Sequence, residues 1–215
     1  MKHTIRLILN IIMAGVVIVA WLHMVVAGGG VLAHDGLSNL RFYTVLSNLL
    51  EGIASVIWIV AFAKASAGKK KEDAAEITRW VEVLKHVAAV SVFLTFTIVL
   101  LFLGPLYGHE NLYLGANLWF HLIIPVIAVV EMMFLTDYRI TARDNRMALY
   151  PTILYGVVYM FNNLINGIGT WPDTNDWYGF LLWGYPVGIL IFIGIGVCTW
   201  VLGRLIRLVN NRVQK

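Results

Sequence analysis

A hydroxyl is a weak nucleophile until a neighbouring base takes its proton, and a threonine within hydrogen-bond reach of an imidazole is the smallest arrangement that achieves this. Thr44 and His121 are the two side chains here whose placement suits that chemistry. Thr44 opens a series of polar residues, Ser47, Asn48 and Glu51, at i+3, i+4 and i+7, with Ser55 at i+11. On an α-helix that spacing puts all five on one stripe. Tyr155, Tyr159, Asn162 and Asn166 repeat the spacing, with Asn163 beside them, and Asn117, His121 and Pro125 follow one another at intervals of four. An amide such as Asn48, Asn162 or Asn163 could donate to an oxyanion, and a carboxylate such as Glu51 could orient the imidazole. Together these are the parts of an acyl-transfer site.

The elements that must position them lie in a membrane. Of 215 residues, 60% are apolar and 13% charged, with mean hydropathy +0.78, outside the balance of a soluble domain. Apolar runs long enough to cross a bilayer fall at about 7–27, 42–63, 82–104, 116–135, 149–167 and 180–203. They are too long and too uniformly apolar for barrel strands, so the fold class is an all-α bundle of six transmembrane helices forming a single domain over 1–215. The first run exceeds the usual apolar stretch of a cleaved signal and reads as a span. Fifteen basic residues, Lys2 and Arg6 through Arg212 and Lys215, fall in the tails and the two connections on one side, against Arg41 alone on the other. The positive-inside rule then places both termini in the cytoplasm. The net charge of +4 needs no nucleic acid, since basic loops face anionic lipid head groups. Residues 64–79 read as a solvated, partly helical linker. Trp171, Trp177, Tyr107 and Tyr113 sit where an interfacial aromatic belt would lie.

Depth can be estimated from the rise per residue. Thr44 lies roughly one turn into helix 2, and His121, Asn162, Asn163 and Tyr185 lie at about the same level, counting about 1.5 Å per residue. Glu51 is roughly 13 Å along helix 2 on that count, near the midplane. These stripes are therefore expected to converge on one cavity at or just beneath the outer face, with Glu51 as its floor. Each residue taken singly has a blander use: Ser and Thr in spans bond to the carbonyl one turn back, Asn bonds across helix contacts, and a lone His is usually structural. Glu51 is the hardest to explain in that way, because an unpaired carboxylate at such depth is costly.

Other residues are expected to do less. Glu131 is near a helix end, from which its carboxylate would reach the interface. Lys85 and His86 are expected at the cytoplasmic rim, and His3, His34 and His109 in solvated tails or loops. His23 is expected at the interface or the cavity edge. Gly184 and Gly188 make a GxxxG pair suited to helix packing. Cys198, the one cysteine, excludes an intramolecular disulfide and a Cys-based zinc cluster. The positions of His23, Glu51 and His121 do not require a metal, and no cofactor is expected.

The run Arg41-Phe42-Tyr43-Thr44-Val45-Leu46-Ser47-Asn48-Leu49-Leu50 resembles the R-[FY]-[FY]-T-x-x-S-N-x-L start of helix 2 in the bacterial Pr6Pr membrane proteins. Those are similar to the androgen-induced and androgen-dependent integral membrane proteins of eukaryotes, the FAR-17a/AIG-like family. His121 with Pro125 (HLIIP) is a second match and Tyr185-Pro186 a third. The eukaryotic relatives are threonine hydrolases of esters between a fatty acid and a hydroxy fatty acid. The resemblance implies Thr44 as nucleophile, His121 as general base, a lipid ester substrate and a bacterial cell membrane. It assigns nothing to Glu51, Asn48, Asn162 or Asn163, and the Ser47-Asn48 pair follows the bacterial pattern rather than the eukaryotic one. The rival expectation from the residues alone is a small transporter, or a solute- or proton-binding protein, with Glu51 as its ionisable element.

Overall fold

The computed structural model describes residues 1–27, 36–67, 71–170 and 173–214, without the side chains of 71–78. His34, Lys69, Lys70, Trp171 and Lys215 lie outside the described residues. Among those described, all regular structure is helical and no strand occurs. Six helices are long and apolar enough to cross a membrane: α1 Lys2–Ala27, α2 Tyr43–Ser66, α3 Arg79–Tyr107, α4 Ala116–Leu135, α5 Ala142–Asn166 and α6 Tyr185–Val213. The chain is an integral multi-pass membrane protein.

In hydrocarbon a backbone must satisfy its own hydrogen bonds, and helices do so within each segment. Helix starts depart from the apolar runs, two of them for local reasons that the structure displays. α5 begins at Ala142 rather than near 149, because Thr141 and Asp144 form a reciprocal capping box ahead of the first turn. Hydropathy misses that turn because its residues, ARDNRM, are polar. α6 begins at Tyr185 rather than 180, because Gly179 and Gly184 adopt φ of +69° and +84° and break the run. The intervening Phe180 and Leu181 turn inward and bury themselves against Tyr159.

α3 and α4 are not regular throughout. Both contain five-residue π-helical stretches, Val99–Leu103 in α3 and Trp119–Ile123 in α4, each followed two residues later by a proline, Pro105 or Pro125. Pro125 has no N–H to offer the carbonyl of His121 four residues back, so the ladder there shifts to i→i+5 spacing. His121 lies within that stretch. A third stretch, Glu131–Leu135, closes α4 with the Thr136 amide donating to the Glu131 carbonyl at 3.1 Å.

α3 is the central helix, with 56% of its most apolar window buried against 17% for the peripheral α6. The two termini meet at one end of the bundle, where Lys2 Nζ and Gln214 Nε2 both donate to the Thr136 carbonyl, at 3.2 and 3.0 Å. That end is called the terminal end below, and the other the opposite end.

Candidate functional site

The polar side chains do not form one cavity. They separate into three groups. The first, nearer the opposite end, contains Thr44 and His121. His121 is buried, and its Nδ1 lies 2.6 Å from the Leu112 carbonyl oxygen. A carbonyl can only accept, so Nδ1 carries the proton of the neutral ring and Nε2 carries the lone pair. The tautomer is the one a general base requires. Thr44 is half-buried at the first turn of α2. Its carbonyl accepts from Ser47 Oγ at 3.1 Å and from Asn48 Nδ2 at 2.7 Å. Asn48 Nδ2 also donates to the Phe120 carbonyl, 3.1 Å away, and so ties α2 at Thr44 to the residue preceding His121. Among the described residues no hydrogen bond joins the Thr44 hydroxyl to the His121 ring.

Thr44 lines a narrow cavity of about 50 Å³, whose other polar walls are Tyr43, Thr95, Thr152, Tyr155 and Tyr178 and whose remainder is apolar. A water needs roughly 10–15 Å³ of such space, so a few fit. His121 is outside that lining. Tyr43 and Tyr155, with ring centroids 5.1 Å apart, also wall a larger groove of about 450 Å³ between α2 and α5. That groove is flanked by Leu46, Leu50, Leu154 and Val158, of which Leu46, Leu154 and Val158 are exposed on the lipid side.

Tyr178, in the α5–α6 connection, is the residue of this layer that periodicity could not find. Its hydroxyl accepts from the Tyr43 amide at 3.0 Å and stands beside the Thr44 hydroxyl. Burial pushes its ionisation up to about 12, against which the bonds from Tyr43, Tyr155 and Thr44 act only partly. The phenol therefore stays neutral and keeps an O–H to donate. Ser47, the next member of the stripe, is buried and shares a hydrogen bond of 3.0 Å with Thr95.

Asn162, Asn163 and Tyr185 form a second group, which fixes the α5–α6 connection. Asn162 and Asn163 donate to the side chain and carbonyl of Asn175 at 3.2 and 3.0 Å, and the Tyr185 hydroxyl donates to the Asn163 carbonyl at 3.2 Å. Asp176 in the same connection accepts from the Tyr159 hydroxyl and from the Leu181 amide. The Nδ2 groups of all three asparagines, Asn48 included, are thus engaged with the protein rather than turned toward an oxyanion.

The third group corrects three expectations. Glu51 does not orient His121; it accepts from Lys85 and from Ser55. Lys85 is not at a solvated rim, and Glu131 does not reach an interface: both are fully buried, as is Glu51. Arg6 joins them from α1, giving its two terminal nitrogens to Glu82 at 2.6 and 2.7 Å and its Nε to Glu131 at 2.8 Å. Such pairing across four helices is invisible to the periodicity of any one of them. The spacing Glu82–Lys85, i and i+3 on one face, was the available signal. His86, also expected at the rim, is buried, and His23 is exposed on α1 beside Gly115 and Trp119.

The class that fold and polar groups define is a six-helix membrane protein with two buried polar layers, one of hydroxyls and an imidazole, one of charges. No protein-family model matches the chain, and no curated protein or solved structure matches it.

Proposed function

We propose that the protein is an intramembrane hydrolase of lipid carboxylic esters, with Thr44 as nucleophile and His121 as general base. The observation that carries this reading is the His121 ring, carried on a π-helical stretch and held through Nδ1–H by the Leu112 carbonyl, which leaves the Nε2 lone pair free in the layer that Asn48 ties to Thr44. Thr44 Oγ attacks the ester carbonyl and its proton passes to Nε2 as the acyl-oxygen bond forms. The alcohol leaves with that proton, and water then releases the acid from the acyl-threonine. Catalytic hydrogen bonds tighten in the substrate complex, so the Thr44–His121 contact is expected to close there, directly or over one water. Tyr178 replaces the asparagines as the donor to the oxyanion, since its neutral O–H stands beside Thr44.

The lipid-side groove between α2 and α5 suits a long acyl chain, and its shared walls Tyr43 and Tyr155 lead to the Thr44 cavity. Sequence resemblance to the Pr6Pr and FAR-17a/AIG-like proteins supports the same chemistry. The charge bias of the loops supports termini in the cytoplasm, and that resemblance supports a bacterial cell membrane. The test is covalent labelling of purified protein by a fluorophosphonate probe, together with turnover of a long-chain aryl ester. Thr44→Ala and His121→Ala should each abolish both while the thermal midpoint stays near the parent value, and Tyr178→Phe should reduce turnover about 10²-fold, as loss of one oxyanion donor does. Full labelling in either alanine variant removes the assignment.

A further inference from the structure

The charged layer carries an inference that does not depend on ester hydrolysis. Arg6 of α1, Glu51 of α2, Glu82 and Lys85 of α3 and Glu131 of α4 are each at most 3% exposed and form one connected set. Glu82 accepts from both terminal nitrogens of Arg6, from Trp58 Nε1 at 3.0 Å and from Thr136 Oγ1 at 2.8 Å. Glu131 accepts at Oε1 from Arg6 and, at 2.9 Å, from Asn10, while its Oε2 lies 3.0 Å from Lys85 Nζ. Lys85 also reaches Ser55 at 3.1 Å. Among the described residues no hydrogen bond or ion pair to this set comes from α5 or α6.

The count of formal charges does not balance, because two cations face three carboxylates. A net negative charge enclosed by four helices in a low-dielectric interior is expensive unless it is neutralised. The carboxylates are unequal in what holds them ionised. Both oxygens of Glu82 and both of Glu131 face donors or a cation. Among the described residues Glu51 Oε2 and Glu131 Oε2 are both buried without a hydrogen bond. Glu131 Oε2 has Lys85 Nζ 3.0 Å away, whereas Lys85 and Ser55 meet Glu51 at Oε1 and its Oε2 has neither donor nor cation.

We propose that the Glu51 carboxyl is a proton-binding site, holding one H⁺ on Oε2 at neutral pH so that the five-residue set is neutral. A pocket at the terminal end, lined by His3, Asp137, Arg79 and Trp58, reaches Arg6 and Glu82. From the residues of that pocket the ion pairs run through Glu131 and Lys85 to Glu51. Release of the proton would leave three carboxylates to compete for two cations, so the pairing that ties α1, α2, α3 and α4 together is linked to occupancy of this one site.

Infrared spectroscopy of the purified full chain in lipid nanodiscs tests this directly, because only a protonated carboxyl gives the acid C=O stretch. At pH 7 the parent protein should show one such band that survives in buffers with and without sodium. Glu51→Gln, which keeps a neutral group of the same shape, should abolish the band and leave the thermal midpoint unchanged. Glu82→Gln and Glu131→Gln, which remove paired anions, should lower the midpoint. No band in the parent protein, or a band that persists in Glu51→Gln, overturns the proposal; so does a Glu51→Gln midpoint that falls as far as that of Glu131→Gln.

Discussion

The layer around Thr44 and the layer around Lys85 are both buried and polar, yet they are built on opposite plans. Near the opposite end, side chains spend their hydrogen bonds on backbone carbonyls: His121 on Leu112, Asn48 on Thr44 and Phe120. These bonds fix orientation and leave reactive atoms, the imidazole Nε2 and the threonine hydroxyl, uncommitted to one another. Near the terminal end, the charged side chains pair with each other, and neutral donors such as Trp58, Thr136 and Asn10 complete the carboxylates. A buried ion pair repays its desolvation only through such mutual contacts, and once made they hold helices in register. The first plan positions groups for a reaction, and the second closes a bundle.

The largest effect should separate the two plans through stability. Removing one partner of a buried charge pair costs about 3–5 kcal/mol, because it strands the other charge. Arg6→Ala leaves both Glu82 and Glu131 short of a cation, and should strongly lower the midpoint of thermal unfolding in detergent. Arg6 Cζ also sits 4.5 Å from the centroid of the Trp58 ring, so packing is lost as well. His121→Ala strands only the neutral Leu112 carbonyl, and should cost far less stability while ending catalysis. If Arg6→Ala and His121→Ala destabilise equally, the contrast between the two layers is wrong.

Asn48 sharpens the comparison at the next level down. Its amide bridges two carbonyls from different helices, and a bond of that kind contributes about 0.5–1.5 kcal/mol net, with a further penalty when a buried acceptor is left unpaired. Asn48→Ala should therefore cost about 1–3 kcal/mol and lower turnover more than it lowers the midpoint, because α2 is no longer tied to α4 beside His121. Retention of full turnover with a lowered midpoint would make Asn48 a packing residue only.

The sequence made the spans legible because hydropathy reports the bilayer, one helix at a time. It made the α2 stripe legible for the same reason, since spacing along one helix determines which residues share a face. Partners across helices were another matter. Glu51 stood out by type, but whether it faced His121 or Lys85 depended on the relative rotation of α2, α3 and α4, to which no periodicity is sensitive. Lys85, Glu131 and Arg6 each sit within about two turns of the end of an apolar run, where solvation is the ordinary expectation; only their meeting in space accounts for their burial. Tyr178 was hidden for a different reason. It sits in a connection held by Asn162, Asn163 and Asp176, and an irregular backbone carries no repeat from which its direction could be read.

The smallest effect belongs to the surface of the terminal end, and it calibrates the buried network beneath. Lys2 Nζ lies 2.8 Å from Asp137 Oδ1, and His3 Nε2 lies 3.4 Å from Asp137 Oδ2. The bond from Lys2 is the main reason that Asp137 is held below the usual carboxylate range; desolvation opposes it, and the charges of Lys2, His3 and Arg6 add to it. A depressed value in the folded state means that the stabilisation is complete above the unfolded pKa of about 3.9 and is lost as pH falls through the folded value. The Asp137 side chain is 59% exposed, so screening leaves such a pair at about 0–1 kcal/mol. Asp137→Asn should accordingly lower the midpoint by little at pH 7 and low salt. The difference from the parent should shrink in high salt and vanish at the acid end of the titration. A larger loss, insensitive to salt, would mean that the surface pair is coupled to Arg6 and that the charged layer extends to the membrane face.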